Sequence, residues 1–469
     1  MKYISTRGQA PTLEFDDVLL AGLARDGGLY VPETWPKFTA AQIASMAGKP
    51  FHEVAVEIIM GFVGDCVSRA ELTAMAKEAY ADFAHPAVTP LVQVDTNLYI
   101  LELFHGPTLA FKDVAMRLLA RLMDRVLEKR NQRATIVGAT SGDTGGAAID
   151  AFRASTRTDV IILFPDGRVS DVQRRMMTTP TESQVQAVAV KGTFDDCQAL
   201  VKGMFNNHEF RDRVQLSGVN SINWARIVAQ VTYYFVAAVA LGAPHRKVRF
   251  SVPTGNFGDI FAGHVARQMG LTIDGLVIAS NENDILPRTL ETGVYEMRGV
   301  SATTSPSMDI QISSNFERYL FEANGRDGGE VRAQMNSLKQ SGRFELGPAY
   351  KNLKNDFFAG AASEAQVATA IKEMQSQSGY LMEPHTACGV VAAQANMASA
   401  DVPTVVLATA HPAKFPDAME AVTGARPQLP DHLSHLLTDK ERFSVIDNVQ
   451  ADVEDFVESH VSRTQKGLA

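Results

Sequence analysis

The 469-residue chain has only three cysteines, Cys66, Cys197 and Cys388, widely spaced and with no Cys-x-x-Cys pair. That scarcity argues against a disulfide framework and against a thiolate zinc site, and it places the chain in a reducing cytoplasm. Long apolar runs are lacking too. Met1 to Thr12 contains none after its basic residues, and the longest candidate, Val231 to Ala243, is too short to cross a bilayer. We expect that stretch to be a buried helix. Positive charge is in deficit, 44 Lys and Arg against 53 Asp and Glu for a net −9, so no general attraction to nucleic acid or to an anionic membrane is expected. Any anionic ligand has to be held locally. Internal repeats and low-complexity tracts are also missing.

What is present fits an ordinary α/β protein: 45% hydrophobic and 21% charged residues, with 34 Gly and 20 Pro spread along the chain. The length exceeds one compact domain, so two or three domains sharing an interface are expected. Short β-rich runs alternate with helical patterns from Leu98 onward: Leu98 to Phe104, Ala134 to Val137, Val160 to Phe164, Val185 to Val190, Val248 to Val252, Leu276 to Ala279 and Thr404 to Thr409. This alternation predicts parallel, doubly wound sheets wrapped by helices, with a ligand cleft between two such domains. The expected division is an accessory segment over 1–92, sheet domains over 93–245 and 246–428 joined near a helix at Trp224 to Ala240, and a polar helical tail over 429–469.

Four strand-to-helix junctions carry the chemistry. In the first, Phe104-His105-Gly106-Pro107-Thr108-Leu109-Ala110-Phe111-Lys112-Asp113 precedes Val114, Leu118, Leu119, Leu122, Met123, Val126 and Leu127 at helical spacing. Lys112 therefore falls in the opening turn of an amphipathic helix. Position alone leaves a solvated surface lysine open. The apolar neighbours and the helix dipole both favour a neutral amine, the form that attacks an aldehyde. The second junction, Gly138-Ala139-Thr140-Ser141-Gly142-Asp143-Thr144-Gly145-Gly146, offers small residues and hydroxyls that can hold a carboxylate at a helix start, or can be a plain turn.

The third junction, Pro253-Thr254-Gly255-Asn256-Phe257-Gly258-Asp259, can cradle a phosphate on backbone N–H groups. It is neither Gly-x-x-x-x-Gly-Lys-[Ser/Thr] nor Gly-x-Gly-x-x-Gly, so nucleotide-loop readings fail on spacing. The fourth, Thr409-Ala410-His411-Pro412-Ala413-Lys414-Phe415, puts a hydroxyl at a strand end, where it can bond a ring nitrogen without adding charge. His411 is open between a packed turn histidine and a catalytic one.

With Asn220-Ser221-Ile222-Asn223-Trp224-Ala225-Arg226, Thr6-Arg7-Gly8 and Asp26-Gly27-Gly28-Leu29-Tyr30-Val31-Pro32, these segments resemble the threonine synthases, in order and over nearly the whole chain. The resemblance implies the tryptophan-synthase-β-like fold, fold type II of pyridoxal-phosphate enzymes. It implies that Lys112 binds pyridoxal 5′-phosphate covalently, that Gly255, Asn256, Phe257 and Gly258 cradle its phosphate, and that Thr409 faces its ring nitrogen. Thr140, Ser141 and Thr144 would receive the substrate carboxylate. Asp143 would lie near the cofactor's phenolic oxygen, protonated or turned toward another donor. Glu383 stands where the family pattern leads us to expect Asp. The implied reaction is lyase chemistry on O-phospho-L-homoserine: loss of phosphate and addition of water to give L-threonine.

The substrate phosphate needs a second anion site. Arg168, Arg174, Lys191 and Arg226 are the basic candidates, with Asn220 and Asn223 as neutral donors. Asn223 and Arg226 are our choice, because an arginine fork suits a phosphate. No metal is expected, and monomer and homodimer remain open. The rivals are a serine or threonine dehydratase of the same fold type, which needs no second phosphate site, and a non-catalytic metabolite-binding or interaction protein.

Overall fold

A computed structural model of the chain describes residues 1–465. Its centre is two parallel sheets. In the five-stranded one the order is Ser444–Asp447, Val185–Lys191, Thr158–Pro165, Ala134–Ala139 and Leu216–Ser217, every pairing parallel. In the six-stranded one Phe357–Ala361, Ile273–Ser280, Val248–Pro253, Thr404–Ala408 and Leu98–Glu102 run parallel, and Leu91–Asp95 closes the edge antiparallel. The central strands Thr158–Pro165 and Thr404–Ala408 are buried along their whole length, as strands covered by helices on both faces must be.

Residues Lys2–Ser5, Leu13–Glu14 and Tyr30–Pro32 form a small antiparallel sheet. It is followed by helices Phe51–Val63 and Arg69–Tyr80. The second of these starts at Ser68, whose hydroxyl accepts from the Glu71 N–H while the Glu71 carboxylate takes the Ser68 N–H. Phe51–Val63 lies on the helix Trp224–Ala240, and Arg69–Tyr80 lies on the helix Lys112–Arg130. The accessory segment is thus welded to the main core, with Trp224 in ring contact with both Tyr3 and Phe62.

The helix Lys112–Arg130 buries the seven apolar positions expected of it. At about 1.5 to 3 kcal/mol for each large side chain removed from water, that face fixes where the helix start lies. Val231 to Ala243 is, as expected, mostly the end of the buried helix Trp224–Ala240. Among the described residues no helix is long and apolar enough to cross a membrane.

Two expected boundaries need correction. The expected sheet domain 93–245 does not keep to one sheet, because its first strand, Leu98–Glu102, pairs with Leu91–Asp95 and lies beside Thr404–Ala408 in the six-stranded sheet. The chain enters that sheet first, crosses to the other, and returns. Nor is the segment from 429 a separate helical tail. Ser444–Asp447 extends the five-stranded sheet beside Val185–Lys191, and Val453, Val457 and Val461 of the final helix pack with Val137, Ile161 and Leu163. The edge strand is four residues long and only half-buried, too short and too polar to be read by alternation.

Candidate active site

The four junctions meet between the two sheets. The Phe111 N–H donates to the Thr409 carbonyl at 2.9 Å, and Ala110 bridges Ala410, so the start of the Lys112 helix is tied to the end of a strand in the six-stranded sheet. Asp113 shapes the approach: it accepts from the Thr108 N–H at 2.8 Å and from the Thr108 hydroxyl at 2.5 Å. Burial pushes its carboxyl up to about 6.

Lys112 is 8% exposed. Its ammonium form is disfavoured first by burial, then by the charges of Lys414 and Arg226, with Asp143 opposing, and the net direction is down from the usual lysine value. Asp143 accounts for the contrast between the two buried lysines. Its Oδ2 is 3.6 Å from Lys112 Nζ, whereas its Oδ1 is 2.7 Å from Lys414 Nζ and accepts from Gln173 Nε2 at 2.9 Å. Lys414 also donates to the Thr108 carbonyl at 2.7 Å. One lysine is locked and the other is loosely held. Although burial alone would raise the Asp143 carboxyl, Lys414 and Lys112 bring it well below the ordinary range. Asp143 is therefore ionised and turned toward another donor, the second of the two states anticipated for it.

In the next loop the buried Thr140 hydroxyl accepts from the N–H groups of Gly142 and Gly145, both at 2.9 Å. Ser141 and Thr144 remain half-buried at the start of the helix Asp143–Phe152. The loop after Val248–Pro253 is different. None of the N–H groups of Gly255, Asn256, Phe257 and Gly258 has an acceptor among the described residues. Behind it, Ser313 Oγ donates to the Gly255 carbonyl at 2.7 Å and the Asn315 N–H donates to the Asn256 carbonyl at 2.9 Å. In a trans peptide the carbonyl and the following N–H point opposite ways, so these bonds aim the N–H groups of Asn256 and Phe257 away from the brace. Thr409 is buried, and its hydroxyl has no partner among the described residues.

These features suit pyridoxal phosphate on chemical grounds. A buried amine whose ammonium form is disfavoured fits an aldehyde, four unclaimed N–H groups at the start of the helix Gly258–Gln268 fit a dianion, and a neutral hydroxyl fits a ring nitrogen.

Of the proposed substrate-phosphate donors, Arg226 is 2% exposed. Its Nε has no partner, its Nη1 reaches only the Val219 carbonyl at 3.3 Å, and burial lowers it to about 10. No carboxylate among the described residues pairs with it. Asn223 does not join it. That side chain is 0% exposed and caps the helix Trp224–Ala240, accepting from the Ala225 N–H at 3.1 Å and donating to the carbonyls of Leu19 and Gly218. Its donors are spent on structure. Asn220, half-buried beside Gly138, is the neutral donor left. Arg174 pairs with Glu441 and Asp171, exposed Lys191 pairs with Asp447, and Arg168 is exposed. His411 is packed: its Nδ1 accepts from the Ala413 N–H at 3.1 Å, and burial lowers it to about 4. Glu383 is fully buried at the start of the helix Pro384–Ala395, where it accepts from Thr386 and His385.

Sequence reasoning missed Gln173, the partner of Lys414 at Asp143, and the loop at Ser313 to Asn315. Gln173 had a readable signal, the Ser170-x-x-Gln173 capping box. The others depend on contacts too distant in sequence to read.

Comparison with known proteins follows the same outline. Residues 2–80 match the family model of the threonine synthase N terminus, 83–349 that of pyridoxal-phosphate-dependent enzymes, and 386–457 that of the threonine synthase C-terminal region. A threonine synthase of Pseudomonas aeruginosa is 51% identical over 465 residues, 99% of each chain. The chain belongs to the threonine synthase family. Among solved structures, a threonine synthase from Brucella melitensis described as PLP-bound superimposes with a TM-score of 0.95 at 60% identity, covering 98% of this chain and 99% of its own. The yeast threonine synthase gives 0.92 at 40% identity, covering 98% and 99%. The chain is thus a PLP-dependent threonine synthase of fold type II, and neither the dehydratase nor the non-catalytic reading is favoured.

Proposed function

We propose that this threonine synthase takes O-phospho-L-homoserine and water to L-threonine and inorganic phosphate, with Arg226 holding the phosphate that leaves. The observation carrying this reading is a buried guanidinium with an unpartnered Nε and no acidic partner among the described residues, close enough to Lys112 for its charge to disfavour the ammonium there. A buried cation is costly unless an anion compensates it, and here the substrate supplies the anion. A dehydratase has no such need.

The other roles divide as follows. Gly255 to Gly258 take the cofactor phosphate, Thr409 bonds its ring nitrogen, and Lys112 holds it. Bound there, pyridoxal phosphate supplies an electron sink for charge developing on the substrate. Thr140, Ser141 and Thr144, with the helix start behind them, orient the substrate carboxylate, and the Thr140 hydroxyl, while accepting from the loop's own N–H groups, keeps its O–H to donate. Asp143, its charge answered by Lys414, would lie near the phenolic oxygen. Once the substrate amine has displaced it, Lys112 Nζ, whose ammonium form burial disfavours, takes the Cα proton and helps move a Cβ proton. Closure of the two sheet domains excludes water until phosphate has left from Cγ; water then adds at Cβ, and protons return to Cγ and Cα to complete threonine. Three free thiols, two of them buried, suit a cytoplasmic enzyme of small metabolites.

Arg226→Ala tests the assignment. It should keep the visible absorbance of lysine-bound cofactor, because the amine and the glycine loop are untouched. Turnover of O-phosphohomoserine, followed as phosphate release and threonine formation, should fall roughly thirty- to a thousand-fold, the kinetic equivalent of about 2 to 4 kcal/mol. Full activity in the variant would move the phosphate site elsewhere. A wild type that releases no phosphate but makes a keto acid from serine or threonine would replace the reading altogether.

A further inference from the structure

The two anion sites just assigned share one brace. Asn315, 0% exposed, begins the helix Phe316–Ala323. Its main-chain N–H donates to the Asn256 carbonyl at 2.9 Å, in the cofactor-phosphate loop. Its Nδ2 donates to the Ser221 carbonyl at 3.1 Å, in the segment that leads into the Arg226 helix. Its Oδ1 accepts from Arg318 Nη1. Arg318 in turn donates from Nη2 to the Ile222 carbonyl at 2.6 Å and from Nε to the Tyr30 carbonyl at 3.0 Å.

Apart from the link between the two side chains, each of these bonds ends on a main-chain carbonyl. Together they hold both loops from behind, leaving their fronts to the cleft. Asn315 is the residue whose amide faces one loop while its own backbone holds the other. Arg318 removes its freedom to turn, since the guanidinium can only donate and so requires the amide oxygen toward itself and the amide nitrogen toward Ser221.

We propose that Asn315, oriented by Arg318, is a positioning residue that sets the separation between the cofactor-phosphate cradle at Gly255 to Gly258 and the substrate-phosphate site at Arg226. It acts as a specificity ruler. A substrate fixed at one end by the cofactor must place its phosphate at a set reach, and a shift of the Ser221–Arg226 segment by a fraction of an ångström spoils that reach without touching the cofactor. This inference rests on the assignment of Arg226 and the glycine loop made above.

Asn315→Asp is the sharpest test. It preserves the main-chain bond to Asn256 and the acceptor toward Arg318, and it replaces the donor to Ser221 with an oxygen facing a carbonyl oxygen. With holoenzyme, the expected result is an unchanged cofactor spectrum and cofactor retention. The KM for O-phosphohomoserine should rise roughly ten-fold, the weight of one buried hydrogen bond, with a smaller change in kcat. Inhibition by inorganic phosphate should weaken by a similar factor, while inhibition by L-homoserine, which has the carboxylate and amine but no phosphate, should stay as in wild type. A purely structural role would move cofactor retention and both inhibitors together. Because a buried carboxylate can prevent folding, Asn315→Ala is measured alongside; it removes the amide without adding charge and should show the same split.

Phosphate inhibition as in wild type in a folded variant would overturn the inference, and so would loss of cofactor in step with loss of phosphate binding. Failure of the reading beneath it looks different, because then Arg226→Ala leaves phosphate inhibition intact as well.

Discussion

The loops Thr140–Gly145 and Gly255–Gly258 follow parallel strands in neighbouring sheets and both open a helix, yet they are built in opposite ways. The first closes on itself: the Thr140 hydroxyl consumes two of its N–H groups, and Asp143 is engaged by Lys414 and Gln173. The second leaves its N–H groups open and is shaped from behind by Ser313 and Asn315. Its glycine has a different cause from the one expected of a ligand loop. A Cβ at Gly255 would come within 2.6 Å of the Ser307 carbonyl oxygen, so the close approach that forbids a side chain is by the protein's own backbone. At Gly142 the φ of +133° and the Gln173 side chain impose the same residue for local reasons. A loop that presents hydroxyls tolerates internal bonds, whereas one that binds through N–H groups must be held by its carbonyls.

The comparison breaks most severely at Asp143. On the self-closed side one carboxylate compensates two buried lysines, so Asp143→Ala should leave both without their acid and destabilise the protein by about 3 to 5 kcal/mol. Guanidinium unfolding with cofactor present should show the midpoint falling. An unchanged midpoint would mean that Lys414 finds its compensation elsewhere.

On the open side the damage should be local. Gly255→Val drives its side chain into Ser307, an overpacking cost of about 1 to 3 kcal/mol that falls on loop geometry and therefore on cofactor affinity. At Gly258 a Cβ would meet Asn315 Nδ2 and Ile227 Cδ1 at 3.4 and 3.5 Å, ordinary contacts, so Gly258→Ala should bind cofactor far better than Gly255→Val. Cofactor titration by absorbance ranks the two. Equal losses would show that the ligand in front, and not the brace behind, dictates both glycines.

The same contrast explains what the chain made legible. The strand runs and the helix Trp224–Ala240 were readable because burial on both faces leaves an unbroken apolar signature. The motif residues Lys112, Ser141, Thr144 and Gly255 to Gly258 stand at the junctions that the pattern marked, and Arg226 stands in the segment 220–226 that carries the family resemblance. What escaped was pairing across long separations. Lys414 meets Asp143 from the far end of the chain, and Asn315 meets Ser221 across 94 residues, and nothing local records such a partner. Asn223 was misread for another reason. Its position directly before a helix was a capping signal, and an amide already bonded to its own helix has nothing left for a ligand.

The gentlest contrast lies at Asp259, the acidic residue that directly follows the open loop. Ionised, it would compete with a bound phosphate for the positive end of the helix Gly258–Gln268. Instead it is turned inward, its Oδ1 accepting from the Tyr233 hydroxyl at 2.5 Å and lying 3.0 Å from that of Tyr234, while Oδ2 is buried without a partner. Burial raises its carboxyl to about 6, against about 3.9 for an unfolded chain. Between those values the native state keeps a proton that the unfolded state has lost, so stability from this group is present below about pH 4 and declines as the pH rises to about 6. A carboxamide in its place would accept the same tyrosine bonds with no charge to bury. Asp259→Asn should therefore match wild type near pH 4 and exceed it by about 2 to 3 kcal/mol at pH 7.5. Denaturant midpoints of both holoenzymes across that range decide the matter, since pH effects common to the two cancel in the difference. A gap that does not widen with pH would mean that the carboxyl does not titrate there. A variant less stable than wild type at pH 7.5 would mean that the ionised carboxylate serves the open loop, and that the two loops are less different in charge than their geometry indicates.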